Sequence, residues 1–161
     1  MSEASDASEN SQSVTVSKLQ AELQGGGADA ASASVIADIV SDVETALFDG
    51  ESLSFDDEHV KSSLDELLVS LVAVRSSDTH GKQLLDDLAE EFDTVLSPGT
   101  VYPRLHGLCD GDVLEQRELV KTKEYTLADV DAARDSVVDA ARQHLALGMV
   151  LHAALQQGDF A

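Results

Sequence analysis

The period of the hydrophobic pattern changes twice along this chain, and the two changes set its architecture. Apolar residues recur at three-and-four spacing through Val35, Ile36, Ile39, Val40, Val43 and Leu47, which predicts a helix over 31–48 that closes near Gly50. The same spacing in Leu64, Leu67, Leu68, Leu71 and Val72 predicts a second helix. It opens at Ser54, carries Asp56, Asp57 and Glu58 in the first turn where the helix dipole favours carboxylates, and ends around Arg75-Ser76-Ser77. A third, capped by Thr79, runs from His80 to Phe92 with Leu84, Leu85, Leu88 and Phe92 facing inward. Ser97-Pro98 then opens a fourth through Val101, Leu105 and Leu108 to Gly111, and Pro103, lacking an N–H, predicts an irregular first turn. Next the period falls to two: Val113 to Arg117 and Thr122 to Leu127 read as short strands around a polar turn, a β-hairpin. It returns to helical over 128–157, where Val130, Val137, Ala141, Leu145, Leu147, Leu151 and Leu155 form an apolar side too long for so small a domain to cover.

With 161 residues there is room for one core with appendages. Aromatic residues make up 4% and Trp is absent, so that core rests on Leu, Val and Ala. The net charge of −21 excludes a generic basic nucleic-acid binder. Cys109 is the sole cysteine, which rules out an intrachain disulfide or multi-cysteine zinc site and fits a reducing compartment. No metal or other cofactor is expected. No apolar run approaches the roughly 18 residues of a spanning helix, and the start, Met-Ser-Glu-Ala-Ser-Asp, is acidic where a signal peptide would be basic. A cytoplasmic protein that does not enter a membrane is expected.

Residues 1–30, rich in Ser, Ala and acid and ending in Gly25-Gly26-Gly27, read as a disordered acidic leader. The divisions that follow are an accessory helix over 31–50, a helical-plus-hairpin domain over 54–127, and a terminal helix over 128–157. Aspartate outnumbers glutamate 19 to 12 and lysine is scarce. That bias resembles proteins of salt-in halophilic archaea, whose carboxylate surfaces stay hydrated in concentrated KCl.

Three helices followed by a hairpin follow the order of a winged helix-turn-helix. Within that order, His80-Gly81 opens one helix, and Leu96-Ser-Pro-Gly-Thr-Val-Tyr-Pro-Arg-Leu105 with Leu108 precedes Gly111-Asp-Val-Leu114. This string resembles the PadR family of winged-helix transcription regulators. The resemblance implies a mainly α fold with a small β-hairpin, in which the helix at about 97–110 enters the major groove of double-stranded DNA and the wing at 113–127 touches its backbone. It also implies a homodimer held by the long C-terminal helix; the extra helix at 31–48 is a departure from the family and is expected to enlarge that interface.

Charge points to the same region independently. From Leu96 to Leu127 there are five acids and four bases, a net of −1 in a chain of −21. Arg117, Lys121 and Lys123 stand where a wing would meet phosphates, and Ser97, Thr100 and Tyr102 offer hydroxyls beside Gly99. Arg104 and His106 lie off the apolar stripe, where Arg104 could bridge O6 and N7 of a guanine; either could equally be an ordinary surface residue. Tyr102 either packs on the neighbouring helix or stacks on DNA sugar. With so much acid near a polyanion, inorganic cations are expected at the DNA interface. The expected dimer surface comprises Val130, Val137, Ala141, His144, Leu147, Gly148, Leu151 and Leu155, with His144 and His152, two turns apart, facing their copies as a packed pair or a metal or proton site. Cys109 is either a redox sensor or inert. Asp86-Asp87 and Glu90-Glu91 read as a solvated face. A protein-interaction module without direct DNA binding is the alternative that the acid surface allows.

Overall fold

The computed structural model of the chain describes residues 27–49, 51–75 and 79–160. The chain is mainly helical, with one two-stranded antiparallel hairpin and a long C-terminal helix. In chain order the elements are α1 (Gly27–Phe48), α2 (Asp57–Ser62), α3 (Leu64–Val74), α4 (Gly81–Glu91), α5 (Pro98–Asp110), β1 (Leu114–Glu118), β2 (Lys123–Leu127) and α6 (Val130–Gln157). Helix α1 begins inside the segment that composition assigns to the leader; the rest of the leader, and Gly50, lie outside the described residues.

The single helix expected from Ser54 is two. Asp56, not Ser54, caps α2: its carboxylate accepts from the amides of Glu58 and His59 at 3.0 and 3.3 Å. Those bonds, that of His59 foremost, hold the Asp56 carboxyl below its ordinary range. At Ser63 the backbone leaves helical geometry (φ −112°, ψ 17°) and its N–H turns back to Val60. Thr79 does not cap α4. It is buried, its carbonyl accepts from Tyr125 N–H at 2.9 Å, and His80 takes the cap position while bridging to Glu124 of β2. The start of α4 is thereby tied to the hairpin. Helix α5 runs unbroken from Pro98 through Pro103. The carbonyl that Pro103 cannot serve belongs to exposed Gly99, where water can take the missing bond.

The core is a Leu-rich cluster: Leu64, Leu68, Leu71 and Val72 of α3, Leu84 and Leu88 of α4, Val101 and Leu105 of α5, and Leu114 and Tyr125 of the hairpin, with Ile36 of α1 beneath. The hairpin pairs Leu114 with Leu127 and Glu118 with Lys123, so Leu114 and Tyr125 point inward while Glu115, Arg117, Glu118 and Lys123 are exposed. Asp87 is a correction to the solvated face read from the sequence. It is buried, and its carboxylate accepts from Arg75 Nε at 2.8 Å and Nη2 at 2.6 Å, with the Arg75 side chain 1% exposed and that of Asp87 3%. This fork joins the end of α3 to α4. Asp129 caps α6 by accepting from Ala132 N–H at 3.0 Å. The helix is 28 residues long, about 42 Å. Its first part packs on the body through buried Ala133 and half-buried Val137 and Val138, while every residue from 141 to 157 is exposed. Among the described residues, no helix is long and apolar enough to cross a membrane.

Candidate nucleic-acid interface

Helix α5 buries Val101 and Leu105 and turns Gly99, Pro103, His106, Gly107 and Asp110 outward. At its start Ser97 and Thr100 lie with their hydroxyls 3.1 Å apart. Tyr102 is half-buried, and a Cβ placed on Gly81 would come within 2.6 Å of its ring, so the tyrosine packs closely on the start of α4 and any side chain at 81 would have to displace it. Tyr102 thus packs on the neighbouring helix and also reaches the cleft beside the hairpin. Arg104 stands on the flank of α5, its guanidinium 3.5 Å from the Asp65 carboxylate of α3. A half-exposed pair of that length is worth about 0–1 kcal/mol, so it orients Arg104 without tying it down.

The hairpin folds its tip toward the start of α4, leaving a cleft of about 440 Å³ lined by His80, Gly81, Lys82, Tyr102 and residues 118–123. Three lysines converge there, Lys82, Lys121 and Lys123, against one carboxylate, Glu118. Tyr102, Lys121 and Lys123 are thus brought together; Arg117 is exposed on β1 beside them. Arg104 and His106 do not line the cleft. Sequence reasoning missed His80 and Lys82. The signal was present: a lysine in the first turn of a helix opposes the helix dipole, so its position asks for another reason.

Beneath this face sit Cys109 and Tyr125. Burial pushes the Cys109 thiol up, and neighbouring Asp110 adds to the shift, the opposite of what a redox-reactive thiolate needs. Tyr125 is fully buried with no hydrogen-bond partner for its hydroxyl, and burial raises its pKa.

The second feature is α6. Val130, Leu147, Leu151 and Leu155 are all more than half exposed, and Ala141 and Gly148 are open as well. Two expected interface residues are instead engaged at home. His144 Nε2 shares a 2.6 Å hydrogen bond with Ser63 Oγ, and Val137 is half-buried in a groove against α3. His152 lies by Gln156, and no group of metal-ligating side chains occurs among the described residues. Between Asp139 and Asp159 there is no acid at all. Along that stretch Leu147, Gly148 and Leu151 face Phe55, Val60, Leu67 and Phe92 across an apolar cleft of about 530 Å³.

Fold and surface together define an acidic, mainly helical protein whose scarce cations gather at a hairpin and whose long helix carries an acid-free apolar stretch. Comparison gives this class its relatives. The chain is 40% identical over 102 residues to the transcriptional activator GvpE of Haloferax mediterranei, spanning 63% of this chain and 53% of that protein. It is 37% identical over 109 residues to the transcriptional activator GvpE2 of Halobacterium salinarum, spanning 68% and 56%. With GvpE1 of the same organism it shares 36% over 118 residues, spanning 73% and 61%. The homologues are thus haloarchaeal transcriptional activators, and the chain spans between about half and three fifths of their length. No protein-family model matches the chain.

Proposed function

We propose that this chain is a transcription regulator that binds double-stranded DNA sequence-specifically as a homodimer, with α3, α4, α5 and the hairpin acting as a PadR-like winged helix-turn-helix. The observation that carries the reading is the neutral segment from Leu96 to Leu127, net −1 in a chain of −21, which forms one helix and the hairpin beside it. The segment keeps five acids but holds four of the chain's ten Lys and Arg residues, and a surface meant only for hydration in salt has no reason to concentrate cations there. In this reading α5 lies in the major groove, Arg104 exchanges Asp65 for a guanine edge, and His106 faces the bases. Ser97, Thr100, Arg117, Lys121 and Lys123 hold phosphates, and the close backbone at Gly99 lets the helix approach. Two copies meet along the acid-free stretch of α6, so that paired α5 helices read a two-fold site. The relatives are named transcriptional activators, which supports activation over repression as the sense of the regulation.

A mobility shift in molar KCl on the DNA preceding the chain's own coding sequence tests this. The wild type forms a discrete complex; Arg104→Ala weakens specific binding by about 1–3 kcal/mol, and Lys121→Ala weakens specific and random DNA alike. Absence of a complex with either DNA at any salt concentration refutes the reading in favour of a protein-interaction module.

A further inference from the structure

Helix α5 carries two helix-weakening residues where nothing in the fold asks for them. Gly99 and Pro103 stand one turn apart on its exposed face, inside a helix that is regular from Pro98 to Asp110. A Cβ placed on Gly99 would meet only Ser97 Oγ, at 3.8 Å, so the glycine relieves no crowding, and its backbone is helical, so it supplies no special conformation. Pro103 is exposed and fills no gap in the core. Alanine at either position would make a more stable helix. The two residues share one consequence. Pro103 has no N–H to give the Gly99 carbonyl its helical bond, and Gly99 has no side chain to cover that oxygen, so a main-chain acceptor is left open on the outward face of α5.

We infer that the Gly99 carbonyl is a base-reading group, which accepts a hydrogen bond in the major groove from an exocyclic amine, N6 of an adenine or N4 of a cytosine. The inference rests on the DNA-binding reading and deepens it, setting an acceptor beside the donor that Arg104 supplies. Position agrees, since a recognition helix meets base edges with its N-terminal residues and Gly99 is the second residue of α5. Chemistry gives the selectivity. Adenine and cytosine hold out an amine where thymine O4 and guanine O6 present an acceptor, which a carbonyl rejects. A carboxylate could accept the same bond, but it would set one more negative charge against the phosphates in a chain of −21; the carbonyl accepts without charge. The missing side chain at Gly99 lets the backbone come close enough to make the bond.

Pro103→Ala tests this, because it returns an N–H to the helix and closes the Gly99 carbonyl. The full chain is used in molar KCl, with selection from random-sequence duplexes, fluorescence anisotropy on the selected duplex and urea melts. The variant unfolds at a higher urea concentration than the wild type and binds random DNA as the wild type does. It binds the selected duplex about five- to tenfold less tightly, as expected for one hydrogen bond, and its own pool relaxes at one position in each half-site. Replacing the adenine or cytosine of that pair by purine or pyrimidin-2-one, which lack the amine, weakens the wild type by the same factor and leaves Pro103→Ala unmoved. Gly99→Ala also weakens binding to the selected duplex without loss of stability. A Pro103→Ala protein that binds and selects like the wild type overturns the inference. So does a loss reproduced by putting deoxyuridine in place of a thymidine, which would make the contact one between the proline ring and a thymine methyl. A folded wild type that selects no sequence fails the underlying reading and takes this inference with it.

Discussion

Removing one member of the buried Arg75–Asp87 fork should be the most damaging single change available in the body of the protein. The two bonds, 2.8 and 2.6 Å, are charge-assisted and bidentate, and the side chains are 1% and 3% exposed. Asp87→Ala removes the carboxylate that both bonds serve and leaves the buried guanidinium short of that partner, for which about 3–5 kcal/mol is the expected cost. Against a usual domain stability of about 5–15 kcal/mol, that is about a fifth or more of the total. Arg75→Lys keeps the charge but cannot reproduce the fork, so an intermediate loss is expected. The double change Arg75→Met with Asp87→Leu removes both charges and should recover most of the loss, because desolvating the pair offsets much of its attraction. Urea melts in molar KCl followed by far-UV circular dichroism measure all four proteins, at one fixed protein concentration because any self-association would shift apparent stability. A loss below about 1 kcal/mol for Asp87→Ala would refute the reasoning, as would a double variant no better than either single one.

Gly81→Ala should displace the Tyr102 ring, which a new Cβ would meet at 2.6 Å, costing about 1 kcal/mol or more and weakening DNA binding; adding Tyr102→Ala should relieve the stability loss in the same melts. Light scattering after size exclusion should give a dimer for the wild type and a monomer for Leu147→Asp, which places a carboxylate in the acid-free stretch of α6; a variant as dimeric as the wild type would exclude that surface. An ordinary regulator making 6–10 phosphate contacts loses about 10³–10⁵ in affinity between 50 and 200 mM salt. On the proposed DNA-binding reading, the slope of log K against log[KCl] should be shallow or positive, with cations expected between the phosphates and the carboxylates of Asp110, Asp112, Glu115 and Glu118. Their Asn and Gln replacements should steepen it toward the conventional negative value, and a steep negative slope in the folded wild type would make the acid surface irrelevant to binding.

Periodicity made the helices and the hairpin legible because each is amphipathic against one Leu-rich core. Leu84 and Leu88 announce their inward faces by spacing alone, whereas the burial of Leu114 and Tyr125 emerges only from the paired hairpin. Boundaries shifted where a side-chain bond outranked composition, as when the Asp56 carboxylate starts α2 in place of Ser54. The break at Ser63 was not legible, since the apolar stripe passes through it undisturbed. Asp87 was misread for a related reason. A carboxylate beside Asp86 on a charged helix looks solvated, and its partner Arg75 is distant in sequence, so only tertiary packing reveals the pair. His144 shows the same limit, meeting Ser63 across 81 positions. At the candidate interface, charge depletion marked the region, but Lys82 joined it through the fold.

Sequence-specific recognition of duplex DNA by a two-fold pair of α5 helices is tested most directly by selection from random-sequence duplexes, using the purified full chain in molar KCl with Arg104→Ala in parallel. The expected result is enrichment of a two-fold-symmetric sequence whose half-sites lie one helical turn, about 10–10.5 base pairs, or a multiple of it apart. The Arg104→Ala pool should relax at a guanine within each half-site. A wild-type pool that converges on no shared sequence, from a protein that circular dichroism shows to be folded, would contradict it.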